Sequence, residues 1–293
     1  VNSEIERLHP YTIIMYVVAV VLVEMLTMNI FIIAEACIGA FIVGIVLMGP
    51  KKAFSDFLFE ILLSFFTILI QPLFSRAGTS VLFYINDYPV STEAYIYGLM
   101  VAILLVSIIQ WNLLLTESMD SKKIIYICGT IWPKMGLTIS MILNLIPSLK
   151  KRYQIIHEAQ ISMFGQAGGW TVRLKRRIRE ISILLSWTLE GSMEKSMSME
   201  ARGYRSGKRE NVFDYKFRLE DKIGLTLIIS LGALTSLIIG TSRVDMWYLP
   251  KVSLPQDMGH TFLVMVLYAC LILLPLIVKI RGDYRWRSLN TKE

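Results

Sequence analysis

The sequence predicts an all-α, polytopic membrane protein, on three observations. Hydrophobic residues fill 54% of the 293 positions and the mean hydropathy is +0.55, above the composition of an ordinary soluble domain. Those residues gather into runs of membrane length. The positive excess behind a net charge of +7 gathers into one polar block instead.

Six apolar runs are long enough, at about 1.5 Å per residue, to cross a hydrocarbon layer of roughly 30 Å. They are Tyr11 to Ile30, Phe31 to Met48, Phe54 to Phe74, Glu93 to Leu115, Ile223 to Gly240 and His260 to Lys279. The first exceeds the h-region of a cleaved signal peptide and passes at Met28, Asn29 and Ile30 almost directly into the second, so it reads as a retained span. Three regions follow: 1–116 with spans one to four, 117–222 at the membrane surface and in the cytoplasm, and 223–293 with the last two spans and a basic tail.

Between Lys150 and Arg218 the chain carries fifteen Lys or Arg against seven Asp or Glu, a local net of +8, while the remainder has fifteen basic and sixteen acidic residues. By the positive-inside rule the block is cytoplasmic. Four preceding spans then put the N-terminus and the Lys51-Lys52 turn inside. The 75–92 loop, with Asn86-Asp87-Tyr88-Pro89, falls outside, as does 241–259, where Arg243 and Lys251 are balanced by Asp245 and Asp257. The tail with Lys279, Arg281, Arg285 and Arg287 returns to the cytoplasm.

Ile124 to Ile146 is apolar, but Pro133 and Lys134 interrupt it, and an extra crossing would invert the basic block. It reads as two amphipathic helices buried at the membrane surface or against the bundle. From 149 to 164 a helical stripe carries Tyr153, Ile156, Gln160 and Met163, and Gly168-Gly169 breaks it. A further helix from about Val172 to Ala201 has Ile178, Ile181, Leu185 and Leu189 on an apolar face. Its start is charged, with Arg173, Lys175, Arg176, Arg177 and Arg179.

Several chemistries fail on spacing. Gly203, Gly207 and Lys208 suggest a phosphate loop, but three residues rather than four separate the glycines and Arg209 follows Lys208, so no ATP site is expected. His9, His157 and His260 are far apart, and His157-Glu158 forms no HExxH, which gives no metal or catalytic centre. Cys37, Cys128 and Cys270 read as small buried hydrophobes. No cofactor and no nucleic-acid partner is implied.

Two features remain. Glu24 and Glu35 lie inside apolar runs and Glu60 near the start of another, where an ionisable group is costly and a functional reading is the default. The second is 198-SMEARG-203, a helix end made of a small residue, Ala201, a fork-shaped donor, Arg202, and a glycine suited to a left-handed cap, Gly203. Such an end fits a partner's groove, where a guanidinium bonds carboxylates or carbonyls in pairs.

The chain resembles the transmembrane T component of energy-coupling factor (ECF) transporters, whose relatives include the CbiQ-type subunit of cobalt and nickel importers. The resemblance covers most of the chain: the paired first spans around Asn29, the entry after Thr116, 143-LNLIPSL-149 leading to 158-EAQ-160, and above all 199-MEARGYRSGK-208. It implies a non-catalytic subunit of a multi-pass assembly in a prokaryotic cell membrane, with both termini cytoplasmic. Its partners would be the lipid bilayer, two ATP-binding-cassette ATPase subunits and a small substrate-binding membrane subunit for a vitamin or transition metal.

In that family two Ala-Arg-Gly motifs end two coupling helices, and each arginine docks on one ATPase. The resemblance implies that Glu200, Ala201, Arg202, Gly203 and Tyr204 form the second docking end. Where the first should follow Ala159-Gln160, this chain reads 161-ISMFGQAGG-169, with Phe164 and Gly165 and no arginine. ATPase closure would then pull the helix ends near Gly165 and Gly203 together and tilt the helices beneath the substrate-binding subunit. Two rivals stand beside this: a stand-alone secondary transporter or membrane enzyme with its site at Glu24, Glu35 or Glu60, and a surface anchor whose basic block binds lipid headgroups.

Overall fold

The computed structural model describes residues 9–75, 78–85, 88–165, 169–204, 217–242 and 244–290. Asn86, Asp87, Gly168, Arg243 and all of 205–216, with Gly207, Lys208 and Arg209, lie outside them. The described elements are, in order, α1 (Pro10–Leu26), α2 (Ile30–Met48), α3 (Pro50–Phe74), β1 (Val81–Ile85), β2 (Tyr88–Ser91), α4 (Thr92–Ser118), α5 (Ser121–Ile131), α6 (Pro133–Phe164), α7 (Trp170–Ala201), α8 (Leu219–Thr241) and α9 (Met258–Asn290). They form two compact units, one of Val1–Asp120 with Lys216–Glu293 and one of Ser121–Tyr215.

The chain is an all-α polytopic membrane protein. Among the described residues five helices are long and apolar enough to cross a bilayer: α2, α3 (to Pro72), α4, α8 (from Asp221) and α9 (to Ile277). The first expected span is shorter than its apolar run. α1 ends at Leu26 after 17 residues, about 26 Å, because Asn29 Oδ1 accepts from the Phe31 N–H at 3.0 Å and starts a new helix there.

In the membrane unit, α2 packs on α4, α9 and α3, while α1 packs on α8 and α4. The core joins Val17, Val20 and Val23 of α1, Ile32, Ala36 and Ala40 of α2, Trp111 of α4, and Tyr268 and Leu271 of α9, all buried. Small residues set the spacing: a Cβ on Gly39 would stand 2.4 Å from Ile272 Cγ2, so α2 and α9 meet at a distance only glycine permits. α3 lies at the edge, with 11% of its span buried, and presents Phe54, Phe59, Phe65 and Phe66 outward.

Both ends of this unit are pinned by polar bonds. At one, the α1–α2 turn meets the loop before α9: Asn29 Nδ2 donates to the Val244 carbonyl at 2.9 Å, the Met28 N–H to Asp245 at 3.2 Å, and Tyr248 OH to the Met28 carbonyl at 2.8 Å. At the other, Asp221 accepts from the His9 and Arg218 backbone N–H groups, each at 3.1 Å, tying the starts of α1 and α8. Phe217 stacks on the His9 ring, with centroids 3.7 Å apart.

Two expectations change here. The loop after α3 contains an antiparallel hairpin, β1 with β2, pairing Val81 with Ser91 and Tyr84 with Pro89. It is anchored by Glu93, whose carboxylate accepts from Thr79 Oγ1 at 2.9 Å and the Ser80 N–H at 3.2 Å. The expected tail after Lys279 is the continuation of α9, which remains helical to Asn290.

In the second unit the 124–146 stretch is divided at Trp132, as Pro133 suggested, into α5 and the start of α6. α6 does not stop near residue 146. It runs 32 residues through Pro147 to Phe164, although Pro147 has no N–H to give the Leu143 carbonyl. α7 starts at Trp170, where the Val172 and Arg173 N–H groups bond the Gly169 carbonyl, each at 3.1 Å.

Candidate docking helices and buried membrane carboxyls

The 198–204 segment is a fully formed helix end. The Gly203 N–H donates to the Glu200 carbonyl and the Tyr204 N–H to the Met199 carbonyl, both at 2.9 Å. These two bonds define a Schellman cap around Gly203 at φ 81°. A side chain at that φ is disfavoured by roughly 1–2 kcal/mol, which is why glycine stands there. Glu200, Ala201 and Arg202 are exposed, and Tyr204 is 38% exposed.

The other expected docking end is built differently. α6 ends at Phe164, the Gly165 N–H bonds the Ile161 carbonyl at 2.8 Å, and Gly165 has φ 68°. Phe164 is exposed, and the Arg179 guanidinium of α7 lies 5.0 Å from its ring centroid, within cation–π range. A guanidinium of the neighbouring helix thus stands beside Phe164. Since α7 is 32 residues long, the two ends stand on the order of 40 Å apart along it.

α6 and α7 meet through polar groups. Glu180, fully buried, is the only buried residue of α7 among the described residues. Its Oε1 lies 2.9 Å from His157 Nδ1, and its Oε2 accepts from Tyr153 OH at 3.1 Å. Arg177 donates to Tyr153 Oη at 3.2 Å. Burial, together with the Glu180 carboxylate, holds the Tyr153 phenol above its usual range. Further along, Arg152 lies 4.8 Å from the Trp187 ring centroid and donates to the Trp187 carbonyl at 3.0 Å.

The α6 stripe predicted from sequence holds for Ile156 and Gln160, which are buried, and not for Met163, which is 65% exposed. Ile178, Ile181, Leu185 and Leu189 of α7 are all exposed, so its apolar face points away from α6. Sequence reasoning missed Glu180 and the pairing of His157. The available signal was the spacing of Glu180, Leu184, Thr188 and Gly191, a second, less hydrophobic stripe on α7.

The three membrane carboxyls occupy different helices, and no hydrogen bond joins any two of them among the described residues. Glu24 is fully buried in the core, where its Oε1 accepts from Ser107 Oγ at 2.6 Å and Tyr268 OH at 3.4 Å; Tyr268 also donates to the Val20 carbonyl at 3.2 Å. Glu24 Oε2, Glu35 Oε2 and both oxygens of Glu60 are buried without a hydrogen-bond partner. Among the described residues no group of three or more His, Cys, Asp or Glu has a metal-holding arrangement. Cys37, Cys128 and Cys270 are free thiols.

The spans establish a multi-pass protein in contact with a lipid bilayer. No protein-family model matches the chain, and no curated protein is significantly similar to it.

Proposed function

We propose that the chain is the transmembrane coupling subunit of an energy-coupling factor importer in a prokaryotic cell membrane. It would pass the closure of two ATP-binding-cassette ATPases to a small membrane subunit that binds a vitamin or transition metal ion. The observation that carries this reading is the α7 end, where a Schellman cap presents exposed Ala201 and Arg202 as a rigid, fork-bearing tip. The Phe164–Gly165 end of α6, with Arg179 against its ring, is the second contact.

The spacing of the two ends accommodates two partners. A globular domain of about 250 residues has a radius of gyration near 18 Å, hence a diameter of about 45 Å. That is comparable with the separation of the two ends, which leaves room for one subunit at each. The long cytoplasmic helices then act as levers, and both chain termini are cytoplasmic by the charge distribution.

The test is affinity purification of the full chain in mild detergent after expression in its native cell. Wild type should retain two ATPase copies and a small hydrophobic subunit. Arg202→Ala should lose at least one ATPase while inserting normally, and Arg202→Lys should not restore it. Equal ATPase recovery with Arg202→Ala would overturn the assignment.

The unpartnered buried oxygens of Glu24, Glu35 and Glu60 favour one alternative, an ion-coupled secondary transporter. That reading requires uptake without any ATPase.

A further inference from the structure

Most helix pairs join through apolar faces, and α7 has such a face in Ile178, Ile181, Leu185 and Leu189, yet all four are exposed. The side chain α7 buries is a carboxylate. Around Glu180 the α6 partners are Tyr153 and His157, with Ile156 and Gln160 buried on the same helix, and Arg177 closes the cluster through Tyr153. Apolar packing interlocks side chains and resists rotation. A compact hydrogen-bonded cluster fixes one point, and the contacts on either side of it, Arg152 on Trp187 and Arg179 on Phe164, are made by long arginine side chains that can follow a swing.

We propose that Glu180, with Tyr153 and His157, is the fulcrum on which α6 and α7 cross, and that Glu180 is a positioning residue for coupling. The lever arms are unequal. From Glu180 to Arg202 is about 33 Å of helix, whereas from His157 to Phe164 is about 10 Å. A turn of 10° about the cluster therefore moves the Arg202 tip by roughly 6 Å and the Phe164 tip by roughly 2 Å. The α7 end makes the large stroke, and the α6 end acts as the near-fixed contact. Arg152 against Trp187 lies on the long-arm side of Glu180 and limits the swing.

The role in coupling rests on the function proposed above; the polar crossing does not, and the two are tested separately. Spin labels at the exposed positions Met163 and Met197 of the full chain in nanodiscs report the α6–α7 geometry by pulsed electron resonance, with no partner present. Glu180→Leu keeps a similar volume and could pack, but leaves Tyr153 and His157 without their acceptor. The label-to-label distance distribution should widen at least twofold in Glu180→Leu and stay within about 1.3-fold of wild type in Glu180→Gln, which keeps an acceptor oxygen. A Leu variant as narrow as wild type would show an ordinary packing contact and overturn the fulcrum. In the purified assembly, Glu180→Leu should still retain both ATPases and lose at least fivefold in substrate uptake per ATP hydrolysed. Retention with unchanged uptake per ATP would overturn the positioning role. A wild-type chain that retains no ATPase refutes the proposed function and leaves the nanodisc result to decide the fulcrum.

Discussion

Asn29 Nδ2 donates to the Val244 carbonyl at 2.9 Å across 215 residues of sequence, while Asn29 Oδ1 accepts from the Phe31 N–H at 3.0 Å. One fully buried side chain therefore caps α2 and fastens the α1–α2 turn to the segment before α9. Asn29→Ala removes both bonds and strands a buried carbonyl. The expected cost is about 2–3 kcal/mol, read as a lower unfolding midpoint in detergent. Asn29→Asp keeps the cap but sets a buried carboxylate oxygen against the Val244 carbonyl, so its loss should be at least as large.

Gly203→Ala tests the cap on α7. At φ 81° a Cβ is disfavoured by roughly 1–2 kcal/mol, which frays the two closing bonds. Amide hydrogen exchange at Gly203 and Tyr204 should accelerate about tenfold, with the middle of α7 unchanged. On the proposed function, ATPase retention falls along with protection, because the tip no longer holds Arg202 in place.

Glu24→Gln separates the coupling subunit from the secondary transporter. The amide oxygen keeps the Ser107 bond, so the core stays intact and the midpoint should move by no more than about 1 kcal/mol. As a coupling subunit the variant retains its partners and transports within about twofold of wild type. Loss of uptake with full partner retention would transfer the function to the membrane carboxyl.

Tyr248 supplies a pH dependence outside the spans. Burial pushes its phenol from the usual value up to about 12. The folded state therefore holds the proton more tightly than the unfolded chain. That contribution to stability is complete below about pH 10 and is lost as pH rises to about 12. Unfolding midpoints measured from pH 9 to pH 12 should fall for wild type. In Tyr248→Phe, which has already lost the bond to the Met28 carbonyl, the midpoint should start lower and fall less.

Long apolar helices were legible because hydrophobic run length alone specifies them: α2, α4, α8 and α9 lie where the runs lie. Gly203 was legible as a cap because glycine after a helical segment has few other uses. Glu180 was not, since an acid on a charged helix ordinarily points to water, and its partners sit 23 and 27 positions away on another helix. The end of α1 was hidden inside a continuous apolar stretch where only the Asn29 side chain marks the break. β1 and β2, at five and four residues, are too short to stand out between two spans.

The outward apolar face of α7 bears on how the protein is handled. A fragment cut to 121–215 would keep its α6–α7 crossing yet carry Ile178, Ile181, Leu185 and Leu189 bare along one side. Such a fragment would self-associate or coat micelles in dilute buffer. Binding assays on it would then report adhesion by that greasy strip, and since the intact polypeptide leaves the same four side chains exposed, its measurements need lipid as well.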